Sequence, residues 1–149
     1  MIKTIEISGK TLDFKCSAAT QFSYKRLFGK SLMDEFIKRT RLMKDLQKAQ
    51  QRIELLTANK EQEALIDFLA DDTTAQDLIG FMTEFIPQFA YITWLEGNHT
   101  QQEVFRGLTE EAFLNWISEF DPNDLLAKAG DFISLWQGTN TTYSNLKNP

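Results

Sequence analysis

The spacing of apolar residues changes once, at Ser17, and that change decides what kind of fold is open to the chain. Before it, Ile5 and Ile7 alternate with Thr4 and Glu6, and Leu12, Phe14 and Cys16 alternate with Asp13 and Lys15. Alternation of this kind lays one face of an extended strand on an apolar surface. Ser8-Gly9-Lys10 supplies a turn between the two runs, with Gly9 free to take a positive φ, so residues 1–16 read as a β-hairpin. After Ser17 the period becomes helical. A lone hairpin is marginal in water, so its apolar face has to rest on those helices. The expected fold is mainly α: an N-terminal β-hairpin followed by about six helices, in a single domain.

The punctuation along the chain places the helices. A short one runs from about Ala18 to Phe28 and stops at Gly29. Ser31 caps a second, with Asp34 in its first turn and Leu32, Met33, Phe36 and Ile37 opening an apolar stripe. The run KRTRLMKDLQKAQQR, residues 38–52, continues it as a long charged helix, and Leu42, Leu46, Ala49, Ile53 and Leu56 give a short coiled-coil-like seam. Asn59 caps a further short helix with Leu65, Phe68 and Leu69 inward, and Asp71-Asp72-Thr73 ends it. Thr74 and Asp77 form a capping box before a helix carrying Leu78, Phe81, Met82, Phe85, Phe89 and Ile92, which Pro87 should kink or split. Gly97-Asn98-His99 reads as a loop. Thr109 caps a helix with Leu108 and Phe113 placed as a hydrophobic staple and Phe113, Trp116, Ile117 and Phe120 buried. Asp121-Pro122 starts the last helix, lined by Leu125, Ala129, Phe132 and Trp136. Beyond Trp136 the composition turns to Gly, Thr, Asn and Ser, so residues 1–136 read as the helical domain and 137–149 as a flexible polar tail.

Composition narrows the chemistry. Twelve Phe in 149 residues argue for a large core or for apolar surface awaiting a partner. Charge is unevenly spread: residues 1–52 carry twelve Lys or Arg and five Asp or Glu, and residues 53–149 carry four and sixteen. Such polarity favours head-to-tail self-association or a basic face turned to something acidic. Cys16 is the only cysteine, which excludes an internal disulfide, and its place on an alternating strand suits a buried structural thiol. The opening MIKTIEISGK lacks the apolar core of a secretory signal, so a reducing cytoplasm is the expected compartment. His99, the only histidine, has Glu96 and Glu103 nearby in sequence, but Gly97-Asn98 argues against a shared helical face and for a solvated loop histidine. No phosphate-binding, dinucleotide-binding, nucleophile-elbow or Cys/His metal spacing occurs, so no catalytic residue, metal or cofactor is expected. LIGFMTEFIPQFAYITWL, residues 78–95, nearly reaches membrane-spanning length, but Glu84, Pro87 and Gln88 fall at its centre, which favours a buried or partner-binding helix.

The order of features resembles that of the tail assembly chaperones of long-tailed (siphovirus) phages of Gram-positive bacteria. The matching stretches are the hairpin MIKTIEISGKTLDFKCS, the small helix ending in Phe-Gly within RLFGKSLMDEF, and the aromatic helix FAYITWLEG. The acidic-aromatic segment TEEAFLNWISEF and the closing DFISLWQGTNTTYSNLKNP follow, the latter with its Leu-Trp pair and Thr/Asn/Lys tail. The resemblance implies a non-enzymatic chaperone of the host cytoplasm, absent from the mature virion. It would bind and solubilise the tape measure protein, form homo-oligomers around it, and be displaced by tail-tube protein. The polar tail would then be the point where a frameshifted extension recruiting tube protein is joined.

Two residue sets are candidates for contact with partners. Phe81, Phe85, Phe89 and Trp94 are the candidate client-facing aromatics, with a place in the core as the competing reading. Lys38, Arg39, Arg41, Lys44, Lys48 and Arg52 form a basic face suited to self-association or to a polyanion. They also support an alternative function, a small helical regulatory or nucleic-acid-binding module, against which stands the ordinary solvated face of an amphipathic helix in an acidic protein.

Overall fold

A computed structural model describes residues 1–38, 55, 58, 63, 64 and 80–147, with side chains excepted at 81, 82 and 139–147. The fold is the mainly α domain with an N-terminal hairpin that the spacing predicts. Strands β1 (Ile2–Ile7) and β2 (Lys10–Lys15) pair antiparallel, with Ile5 opposite Leu12 and Ile7 opposite Lys10. The loop is two residues long rather than three: Ser8 and Gly9 both take positive φ, 52° and 77°, the signature of the type I′ turn whose twist matches that of paired strands. Ile5, Ile7 and Phe14 are buried on one face, with Leu12 partly so, while Ile2, Thr4, Glu6, Thr11, Asp13 and Lys15 face outward. Lysines stand at both ends of the inner face and reach out to acids, Lys3 to Asp131 at 3.0 Å and Lys10 to Glu119, in the turn after Ile117, at 3.2 Å.

Helix α1 (Ala18–Phe28) begins and ends where expected. Ser17 and Thr20 form a reciprocal capping box, and Gly29 closes the helix in the left-handed region at φ 71°. Ser31 caps α2, whose described part is residues 32–38, but only Leu32 and Phe36 are buried; Met33 and Ile37 are exposed. The charged helix over 39–52, its seam, the Thr74 capping box and all of the Asn59-capped helix except residues 63 and 64, which are helical, lie outside the described residues.

The chain's path through Pro87 is resolved by a change of pitch. Phe81–Phe85 form a π-helical turn leading into α3 (Ile86–Asn98). Pro87 lacks the N–H of a normal helical rung and its ring crowds the preceding turn, and the wider turn stands where that clash would fall. Helix α3 is the centre of the molecule. Ile86, Phe89, Ala90, Tyr91, Ile92, Thr93 and Leu95 are all buried, which covers every side of the helix, as for a helix packed all round. It lies along β2 and touches α1, α4 (Gln101–Arg106), α5 (Glu110–Ile117), α6 (Pro122–Ala127) and α7 (Ala129–Lys147).

Two boundaries differ from the expectation. Gly97 and Asn98 are the last turn of α3, not a loop, because the backbone of β2 crosses there. A Cβ at Gly97 would sit 2.7 Å from the Asp13 carbonyl oxygen, and the Asn98 amide donates to that same oxygen at 2.9 Å. The predicted last helix is two helices: Lys128 closes α6 and α7 starts afresh at Ala129. The other caps stand as predicted, with Thr109 accepting from the Ala112 N–H and Asp121 from the Asn123 N–H ahead of Pro122. Phe132, Leu135 and Trp136 carry α7 into the core. The helical backbone continues to Lys147, through the polar composition.

Rings hold the layers together. Phe14 meets Phe132 edge-on at 4.9 Å, joining hairpin to α7; Phe36 stacks on Trp136 at 4.3 Å, joining α2 to α7; Phe28 meets Phe113 at 5.2 Å, joining α1 to α5.

Candidate functional site

The proposed client-facing aromatics divide once placed. Phe85 and Phe89 are core residues, 2 % and 0 % exposed. Each meets Phe36 edge-on, at 5.1 and 5.5 Å, and Phe89 also faces Phe132, so the packing of α2 and α7 against α3 removes both from any surface. Trp94 is partly buried in a cluster with Tyr91, Trp116 and His99. Phe81 contributes backbone to the π turn, and its side chain is outside the described residues. Of the basic set, Lys38 is described: it is exposed and stands 3.8 Å from Glu35 one turn earlier. Arg39, Arg41, Lys44, Lys48 and Arg52 are outside the described residues.

Among the described residues, apolar surface also lies open in concave places. The first is a cleft of about 360 Å³ where the start of α3 faces the undersides of α5 and α6. Phe113, Ile117, Phe120, Leu125 and Leu126 give it greasy walls; Glu84 and Gln88 supply polar points. Tyr24 donates to the Gln88 amide oxygen at 3.0 Å. Burial, then the nearby Glu35 and Glu84 carboxylates, hold the Tyr24 phenol well above its ordinary pKa, so it stays a donor and Gln88 offers its amide nitrogen end.

The second is a groove of about 540 Å³ between α1 and α4. Phe22 is 70 % exposed and Phe105 49 %, with Ala19 between them and Lys25 and Arg26 at the rim. Arg26 lies over the Phe105 ring at 5.1 Å. Phe22 and Phe105 belong to no set predicted from the sequence, although the signal was there for Phe22. Helix α1 buries Thr20, Ser23 and Tyr24, and at about 100° per residue Phe22 points roughly opposite that stripe.

The polar centre of α1 and α3 clips the two helices together. Glu96 accepts from Thr20 Oγ1 at 2.7 Å, from Ser17 at 3.4 Å and from Ser23 at 3.5 Å, joining the start of α1 to the end of α3. Burial raises its pKa, and the three hydroxyls and Lys15 oppose that rise. His99 sits at the α3–α4 junction rather than in a solvated loop, edge-on to Trp94 at 5.2 Å and 3.5 Å from Glu103. Glu96 is turned to the hydroxyls of α1, so Glu96, His99 and Glu103 do not converge. Cys16 is a buried thiol. Among the described residues no group of three or more His, Cys, Asp and Glu is arranged to hold a metal ion, and no helix is long and apolar enough to cross a membrane.

Comparison with protein-family models, curated proteins and solved structures gives no match.

Proposed function

We propose that the protein is a tail assembly chaperone of a long-tailed phage, which binds apolar helical segments of the tape measure protein and keeps them soluble until tail-tube protein displaces it. The observation that carries the reading is the open apolar cleft between α3, α5 and α6, walled by residues next to the aromatic core. A cleft of this size takes a few side chains of a partner helix, not the whole helix. Each contact is therefore modest and displaceable, and many copies along one long client supply avidity. The order of hairpin, Phe-Gly helix, aromatic helix, acidic-aromatic helix and Leu-Trp helix supports the same reading. In it the protein works in the host cytoplasm, in several copies, and is absent from the finished particle.

The test is co-expression with a tape measure protein from the same phage genome. A soluble complex is expected, stable to added salt because apolar contacts dominate. Leu126→Ser, on a half-exposed cleft wall, should lower the recovered complex while leaving the chaperone folded. A client that stays insoluble with and without the protein sinks the proposal. Equal recovery with the Leu126 variant removes the cleft as the binding surface. A complex that dissolves steeply with salt would instead favour the polyanion-binding alternative.

A further inference from the structure

We infer that the groove between α1 and α4 is the seat of a second copy of this chain, and that what enters it is the outward face of α5. That face is described on the same molecule. Helix α5 turns Phe113, Trp116 and Ile117 inward and leaves Glu110, Glu111, Leu114, Asn115 and Ser118 on the outside. Leu114 is 52 % exposed, one turn after the two glutamates. The groove has the opposite character: an apolar floor of Phe22, Ala19 and Phe105, and a rim of Lys25 and Arg26. An exposed leucine flanked by two acids therefore matches an exposed phenylalanine pair flanked by two cations.

Charge complementarity decides the occupant. Rings beside cations would also suit a nucleic acid, but the acidic-apolar partner that both features call for is present on this same molecule, in the α5 face. A neutral apolar partner would leave Lys25 with nothing to meet. The acidic-apolar face of α5 satisfies both. Its acids also repel other copies of the same face, so groove and α5 face attract each other and neither pairs with itself. Each copy carries one of each, so two copies can exchange both contacts, or copies can follow one another in a chain. The contact is small, so association is weak and concentration-dependent, which suits copies lined up on a shared client. The inference deepens the many-copy part of the proposed function and rests on that reading for its purpose. The test uses the protein alone, so its failure leaves client binding to be judged separately.

Sedimentation velocity over a concentration series reads the association. The wild type should sediment faster as concentration rises, and added salt should weaken the effect. Phe22→Ser and Leu114→Ser remove the apolar centre of each side and should each weaken association about tenfold or more. K25E/R26E and E110K/E111K should each be monomeric, since like charges then meet. Mixed in equal amounts, the two charge-reversed proteins should associate again, because each groove then finds a face of opposite sign. All the substituted residues are solvent-facing, and circular dichroism of each variant checks that the fold is kept. A wild type that stays monomeric to its solubility limit overturns the inference. So does association that both charge reversals leave unchanged, or a mixture that stays monomeric.

Discussion

Gly97 offers a contest between two effects of opposite sign. It lies in the last turn of α3, where replacing glycine by alanine in a helix ordinarily stabilises by roughly 0.5–1 kcal/mol, because less backbone freedom is lost on folding. At Gly97, however, the added Cβ would stand 2.7 Å from the Asp13 carbonyl oxygen, 3.1 Å from its carbonyl carbon and 3.2 Å from the Lys15 nitrogen. A carbon and a carbonyl oxygen ordinarily approach no closer than about 3.3 Å. All three atoms are backbone, so the strand has to retreat rather than a side chain swing aside. Retreat also stretches the Asn98 amide bond to the Asp13 oxygen and disturbs the packing of β2 along α3. Overpacking of a close contact costs about 1–3 kcal/mol, and the lost hydrogen bond adds about 1 kcal/mol. Set against the helix gain, Gly97→Ala should destabilise by about 1–3 kcal/mol, a fall in Tm of about 2–10 °C for a chain of this length. Gly130→Ala is the matched control. It is also helical, is exposed, and has nothing within 4 Å of its added Cβ, so it should be neutral or stabilise by up to about 1 kcal/mol. Thermal and urea unfolding of the two variants beside the wild type decide the matter. If Gly97→Ala is as stable as Gly130→Ala, the close crossing of β2 over the end of α3 is wrong.

Two further outcomes follow from the packing and the charge clip. Phe36→Ala removes a ring that touches Phe85, Phe89 and Trp136 at once, and should cost about 3–5 kcal/mol in denaturant unfolding; a loss below 1 kcal/mol would mean that α2 does not dock on α7 as described. Glu96 has a folded-state pKa raised above the ordinary carboxylate value, chiefly by burial, so its contribution is most favourable below that ordinary value and is lost as pH rises through the folded pKa. Glu96→Gln should therefore gain on the wild type as pH rises through and above the ordinary carboxylate range, measured as the difference between their unfolding free energies; a difference that moves the other way would contradict the burial of that carboxylate.

Local signals were legible wherever they acted through neighbouring residues. Ser17, Gly29, Ser31, Thr109 and Asp121-Pro122 mark helix ends because caps work over three or four residues, and the hairpin follows from alternation plus a glycine turn. What sequence could not supply was whatever depends on a distant element. Gly97-Asn98 has loop composition, yet it is helical because Asp13, on a strand far earlier in the chain, occupies the space beside it. Phe85 and Phe89 have the spacing of either a core or a client face, and only the positions of Phe36 and Phe132 decide for the core. Helix α1 hid its role for another reason: its buried stripe is Thr20, Ser23 and Tyr24, polar residues whose partners are Glu96 and Gln88, so hydrophobic spacing had nothing to report. The groove at Phe22 and Phe105 was missed with it.

The encirclement of α3 bears on how such a molecule could exchange partners. Helix α3 touches β2, α1, α4, α5, α6 and α7, so parting any of these from it would wet its apolar flank. In the proposed role, capture and release would then be matters for the perimeter, settled by what slides on and off a finished outer shape. Regulation by prying the molecule apart would have to unmake it first.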